Sequence, residues 1–471
     1  MTSVRRRVVS RLTAAVLAPG LIAAGALTGA GTAAADENAA QPGGASATLD
    51  GLKTYSQALL VEPDGEKKEI GAGLFEMTVD GGGALQTYCI DIANPTVSKS
   101  RYKEVGWDAS SLNDNADAGK ILWILQNSYP QVNDLAKLGQ AAGVAGGLTN
   151  ETAAAGTQVA IWRFSDDADV TAKDPAAEQL ADYLEKAAQN VPEPKASLHL
   201  TPAAVSGKAG DRLGPVTVDT NAQAVSISTP AGVTAGDVKV VDGSGKPVTS
   251  AADGSELYFD VPAGTEPGEA SVSVQARTTV PVGRAFTSVG VKSQTQILAG
   301  SSESTVTATA TARWADAGPI PAVTAEKNCA EGGVDVTVAN EGDKPFAFSL
   351  AGESHEIAAG GSQTITVPVQ EDQAYDITIT GPDGFEKNFT GVLDCETDTT
   401  GGDEGTTPQT GDDTPAGDTA DEGGTDLAAT GSNSNTPLII GVAVALVVVG
   451  GVAMLLVRKR KPSAAGSGSE D

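Results

Sequence analysis

The chain has little histidine and little cysteine: His199 and His355 are the only histidines, and Cys89, Cys329 and Cys395 the only cysteines, in 471 residues. Such scattered residues offer no ligand spacing for zinc, and neither a metal nor a cofactor is expected. A cysteine–histidine nucleophile lacks support as well, because both histidines lie outside the stretch that carries Cys89. Positive charge is also scarce. Lys and Arg number 31 against 60 Asp and Glu, a formal charge of −29. That excludes nucleic acid as the main partner, since little basic surface remains to displace counterions from phosphate. No lysine or arginine occurs between Lys387 and Arg458, while Glu396, Asp398, Asp403, Glu404, Asp412, Asp413, Asp418, Asp421, Glu422 and Asp426 recur among Thr, Gly and Pro. Residues 397–426 therefore read as a self-repelling, disordered linker. Fully extended, it would span on the order of 100 Å at about 3.3 Å per residue.

Both ends read as targeting segments. Arg5, Arg6, Arg7 and Arg11 precede an apolar stretch, and Ala33, Ala34 and Ala35 offer small residues at a cleavage site, so residues 1–35 are expected to be a signal peptide. The Arg5-Arg6 pair leaves twin-arginine export open beside the general secretory route. Residues 438–457 are uninterruptedly apolar, matching the roughly 20 residues of a transmembrane helix. Arg458, Lys459, Arg460 and Lys461 follow and mark a cytoplasmic tail, 458–471, so the chain before Pro437 is expected outside the cell. Just upstream, Leu427, Ala428, Ala429, Thr430 and Gly431 resemble a sortase signal of the actinobacterial LAxTG type, a variant of the commoner LPxTG. The resemblance implies cleavage after Thr430 and its covalent attachment to the cell wall of a Gram-positive bacterium. Sortase and peptidoglycan would then be partners, with membrane contact only through the C-terminal helix before sorting.

About 360 residues lie between these ends, more than one core usually serves. The expected organisation is an α+β head at 48–192 followed by two all-β sandwich-like modules, 196–324 and 326–396. In the head, Phe75, Met77 and Val79 alternate with Glu76, Thr78 and Asp80, the period of a half-buried strand. Asp80-Gly81-Gly82-Gly83 then turns the chain into a second strand ending at Cys89. Helical periodicity predicts helices over 118–126 and 151–164, and a third that Asp174 caps and Pro175 opens. Beyond residue 196 short alternating runs bounded by Gly, Pro and Asp take over, the pattern of β sandwiches.

Three cysteines in an exported chain is an odd number. Cys329 and Cys395 bracket the last module, and a disulfide between them would stabilise it by about 2–5 kcal/mol. Cys89 is left over, either as a small buried hydrophobe or as a reactive thiol. On the helix over 151–164, Gln158 shares a face with Ala154, Ile161 and Trp162. A buried amide needs a partner, which is either ordinary hydrogen bonding or something stronger.

Tyr88-Cys89-Ile90-Asp91 together with Thr157-Gln158-Val159-Ala160-Ile161-Trp162 resembles the paired motifs of bacterial thioester domains, also called TQxA domains. The resemblance implies that the cysteine sulfur attacks the glutamine carbonyl, ammonia leaves, and a Cys89–Gln158 thioester remains. An amine on a surface ligand could then displace the thiolate and stay on Gln158 as an amide. A protein lysine is the partner the family implies, with polyamines and amino sugars open. Because the bond is spent once, this would be an adhesin and not an enzyme. Tyr88 and Trp162 flank the pair and are candidates for shielding it from water. The alternatives are a non-covalent surface-binding or coat protein with an inert Cys89, and an amide- or ester-processing enzyme working through that thiol.

Overall fold

The first hairpin follows from its turn chemistry. β1 (Ser46–Val61) and β2 (Lys67–Val79) pair antiparallel around a turn in which Gly65 adopts φ +87° and donates to the Glu62 carbonyl at 2.8 Å. A residue with a side chain rarely enters that region. Gly82 and Gly83 repeat the device, at φ +84° and +91°, and lead into β3 (Ala84–Cys89). Phe75, Met77 and Val79 are buried while Glu76 and Thr78 are exposed, as the alternation requires. The computed structural model describes residues 40–232 and 237–396. The expected signal peptide, linker, sortase signal, apolar span and tail lie outside the described residues, among which no helix is long and apolar enough to cross a membrane.

After β3 come β4 (Arg101–Val105), α1 (Ala118–Asn127), α2 (Leu135–Ala142), α3 (Asn150–Ser165), β5 (Val170–Ala172) and α4 (Pro175–Ala187). Three of these helices lie where periodicity predicts them. The fourth, α2, is only eight residues long, too short for periodicity to announce. Caps set the helix starts. Thr149 and Thr152 form a reciprocal capping box on α3, and the Asp174 carboxylate accepts from Ala176 N at 2.8 Å and Ala177 N at 3.2 Å on α4. Arg163 on α3 then pairs with Glu178, Asp182 and Glu185 of α4 at 2.7, 2.9 and 2.9 Å.

The burial of α3 differs from the sequence reading. Every residue from Ala153 to Trp162 is buried, so Gln158 is enclosed on a helix without a solvent face over that stretch. Small side chains permit it. A Cβ at Gly156 would stand 2.4 Å from the Ala177 carbonyl of α4.

The next stretch holds β6 (Leu198–Thr201), β7 (Ala204–Lys208), β8 (Arg212–Thr220), β9 (Val225–Ile227), β10 (Lys239–Val241), β11 (Ser250–Ala251), β12 (Ser255–Asp260), β13 (Gly268–Thr279), β14 (Ala285–Val289), β15 (Gln296–Ser301) and β16 (Glu303–Ala315). Most of it forms the expected sandwich, with sheets ordered β10-β12-β8-β6 and β11-β9-β13-β16-β7. The boundary at 192–196 needs correction, however. β13 and β16 pair from Gly268↔Trp314 to Thr279↔Glu303, and between them the chain runs into the head as β14 and β15. There β15 pairs with β3 and β14 with β4. The ring β1-β2-β3-β15-β14-β4 closes back on β1 with every neighbour antiparallel. The head is thus a six-stranded barrel, extended by β5 on β1, that two strands from the second stretch complete. Closure removes the free edges β3 and β4 would otherwise expose.

One continuous apolar core, from Ala45 to Trp314, serves head and sandwich together. At their junction Arg284 Nε meets the buried Glu104 carboxylate at 3.0 Å. Glu104 also accepts from Ala45 N and Ser197 N, each at 2.9 Å, and from the Ser197 hydroxyl.

The last module has its own core, including Val336, Phe346 and Ile379. Its strands are β17 (Pro321–Asn328), β18 (Gly333–Asn340), β19 (Phe346–Leu350), β20 (Glu353–Ile357), β21 (Gly361–Pro368), β22 (Ala374–Thr380) and β23 (Glu386–Val392). They form sheets β17-β18-β21 and β20-β19-β22-β23. Cys329 and Cys395 are joined by a disulfide with Cα atoms 5.3 Å apart, tying the end of β17 to the segment after β23.

Candidate functional site: Cys89 and Gln158

Cys89 is the last residue of β3, held opposite Gln296 of β15. Gln158 stands in the enclosed middle of α3, and both residues are 0% exposed. The structure brings them together although 69 positions separate them. Cys89 N donates to Gln158 Oε1 at 3.0 Å, and Gln158 Nε2 donates to Cys89 O at 2.8 Å. The carboxamide therefore docks on the Cys89 backbone as a peptide group of a neighbouring strand would, with an acceptor and a donor both used. This contact holds the amide carbon beside the residue that carries the sulfur. The Cys89 N–H also points at the oxygen on which negative charge would develop if that carbon were attacked.

The sulfur is gripped by the turn that follows. Asp91 N donates to Cys89 Sγ at 3.2 Å, and the thiol reaches the Asp91 carbonyl at 3.2 Å. Burial pushes the Cys89 thiol well above its usual pKa, and the negative charges of Asp166 and Asp91 add to the effect; the Asp91 backbone and Trp162 oppose it. The buried site thus favours the protonated thiol over the thiolate. Trp162 is fully buried. Its indole N–H makes no hydrogen bond of normal geometry, yet it lies close enough to the sulfur to favour the thiolate slightly. Tyr88 is equally buried, and its hydroxyl donates to the Tyr129 carbonyl at 2.8 Å. Of the two aromatics named from the sequence, Trp162 lies near the sulfur, while the Tyr88 hydroxyl turns to Tyr129 and Thr157.

Two acidic residues were not given roles from sequence. Asp166, at the C-terminal end of α3, accepts from Ile92 N at 2.8 Å and from Ser165 Oγ at 2.5 Å. It therefore fastens the helix that bears Gln158 to the turn beyond Cys89, and burial pushes its carboxyl up to about 6. Asp91 is pushed well above the carboxylate range, first by burial and then by the charges of Asp394 and Asp166. Asp91 belongs to the motif read from sequence. Asp166 had no local signal, since its role is a contact with a loop 74 positions away. The histidines stand elsewhere, His199 on β6 and His355 on β20.

A closed antiparallel barrel with a buried helix, joined by a cysteine and a glutamine from far apart in sequence, defines a cysteine–glutamine head domain. Residues 86–190, which contain both side chains, match the family model of the thioester domain. That segment is thus similar to thioester domains. Residues 321–392 match the model of the bacterial phospholipase C C-terminal domain. Among solved structures, the chain is similar to the Bacillus anthracis TIE protein at 14% identity, over 75% of this chain and 81% of that one, with a TM-score of 0.26. It is also similar to the thioester domain of the Enterococcus faecium TIE86 protein at 16% identity, over 58% of this chain and 97% of that one, with a TM-score of 0.26. No curated protein gives a sequence match.

Proposed function

We propose that the protein is a cell-wall-anchored adhesin that captures an amine-bearing surface ligand through an internal Cys89–Gln158 thioester. The paired hydrogen bonds between the Gln158 carboxamide and the Cys89 backbone, inside a matched thioester domain, are the observation that carries this reading. The chemistry balances with these two side chains alone. The Cys89 sulfur bonds to the Gln158 amide carbon, the carbon–nitrogen bond breaks, and the thiol proton leaves on the nitrogen as ammonia. In the second step a neutral ligand amine attacks the same carbon. The amide forms, the carbon–sulfur bond breaks, and the amine proton returns to the sulfur. Each chain reacts once, so it acts as a reagent and not as an enzyme. Tyr88 and Trp162 keep water from the bond meanwhile.

The anchoring half of the proposal rests on the sequence of the two ends: export by residues 1–35, sorting at Leu427–Gly431 by sortase, attachment through Thr430 to peptidoglycan, and residues 397–426 as the reach across the wall. A protein lysine is the ligand amine proposed.

Intact-mass measurement separates this reading from an inert core, in which the same two hydrogen bonds merely satisfy a glutamine. Mature protein should be lighter than its sequence by one ammonia, in addition to the hydrogens lost to the disulfide, and Cys89→Ala should lack that deficit. Methylamine should restore mass as an adduct on Gln158 and release one thiol. A wild-type mass without the ammonia deficit would sink the covalent reading.

A further inference from the structure

Three aspartates near the Cys89 turn share one defect. Asp91 follows Cys89 by two residues, Asp372 precedes β22, and Asp394 follows β23. One oxygen of each is well served. Asp91 Oδ2 accepts from Asn94 Nδ2 at 2.7 Å, Asp372 Oδ2 pairs with Lys292 Nζ at 2.5 Å, and Asp394 Oδ2 accepts from Thr295 Oγ1 at 2.7 Å. The other oxygen, Oδ1, is in every case buried without a hydrogen-bond partner. Asp91 is 0% and Asp394 2% exposed. A dry, unmatched carboxylate oxygen is strongly unfavourable, and each one asks for an explanation.

Their positions supply one. Ligand oxygens of Glu371, Asp372 and Asp394 lie within 4.8 Å of one another, about twice the ~2.4 Å at which calcium holds oxygen. Asp91 lies beside the group without belonging to it. Ile90 N donates to Thr295 O at 3.1 Å, Thr295 in turn donates to Asp394, and Asp394 is the charge that acts most strongly on Asp91, with Asp372 also contributing. Three acidic side chains thus meet two lysines: Lys292 on Asp372, and Lys327, whose charge is felt by Asp394.

We propose that Glu371, Asp372 and Asp394 form a site for one divalent cation, calcium by preference. Carboxylate oxygens select hard cations, and ligands drawn from separate loops suit the flexible coordination of calcium better than the strict octahedron of magnesium. The ion would fix Asp394, which accepts from Thr295 at 2.7 Å, beside the turn whose Asp91 N–H holds the Cys89 sulfur. This site is independent of thioester formation, and it is one that the thin supply of histidine and cysteine, which speaks only against zinc, left unseen.

The test uses the mature chain, stripped with EDTA and titrated with calcium chloride by calorimetry and thermal melting. One saturable ion per chain and a melting temperature that rises with calcium are expected, unchanged in Cys89→Ser. Asp394→Asn and Asp372→Asn should each weaken binding by roughly tenfold or more, while melting in EDTA no lower than wild type because repulsion is relieved. The proposal is overturned if millimolar calcium gives no saturable binding. It is equally overturned if binding survives Asp394→Asn and Asp372→Asn unchanged, which would assign it to the Glu62, Asp64 and Glu66 group or to the acidic stretch 397–426.

Discussion

Two acids of the head, Glu104 and Asp91, are buried to nearly the same degree and treated in opposite ways. Glu104 meets the Arg284 guanidinium, two backbone N–H groups and a hydroxyl. Asp91 has the Asn94 amide on one oxygen and no partner on the other. Asp166 stands between them, with donors on both oxygens but no cation beside it, and burial lifts its carboxyl to about 6. Hydrogen bonds alone therefore do not offset the loss of water around a carboxylate here; a positive charge is needed as well. Glu104 is part of the frame, and Asp91 keeps one bare oxygen.

The largest expected effect breaks the frame. Arg284→Ala leaves Glu104 buried and uncompensated, and should lower the stability of the head and sandwich by about 3–5 kcal/mol in urea unfolding. A loss below ~1 kcal/mol would erase the distinction between the two acids. The next effect appears as pH dependence. An aspartate titrates near 3.9 in an unfolded chain, and Asp166 near 6 in the folded one. Between those values the folded state keeps a proton that the unfolded state has released, so stability falls as pH rises through the window. The fall is on the order of 2–3 kcal/mol for that group, and Asp166→Asn should remove it. Asp394, also raised to about 6, adds a fall of the same sign in calcium-free buffer. Saturating calcium should flatten the Asp394 share and leave the Asp166 share intact, which sharpens the contrast. The smallest effect is Asn94→Ala, which strips Asp91 of its one side-chain donor and should cost about 1 kcal/mol in urea unfolding.

Much of the head was legible before any fold was known. Alternation at Phe75, Met77 and Val79, the Gly82-Gly83 turn, and the Asp174-Pro175 helix start are local signals, and each produced the expected element. The limits of the head were not legible. β15 lies against β3 with Gln296 opposite Cys89, and no residue near either strand announces a partner some two hundred positions away. Gln158 was read as part of one apolar face, yet α3 is enclosed by strands and by α4. An enclosed helix of small residues carries little periodic contrast.

Residue identity and spacing along the chain were enough to mark Cys89 and Gln158 as unpaired features, joined only by the resemblance to thioester-domain motifs, to pair Cys329 with Cys395, and to divide helical from all-β stretches, because those features depend on side-chain chemistry and short-range backbone preference. Tertiary structure alone decided that two strands after residue 284 close the barrel around Cys89, that Arg284 neutralises Glu104, and that Asp91, Asp372 and Asp394 each leave one oxygen bare. Those outcomes depend on which distant surfaces exclude water from one another, a property of the folded arrangement that no local window of sequence contains.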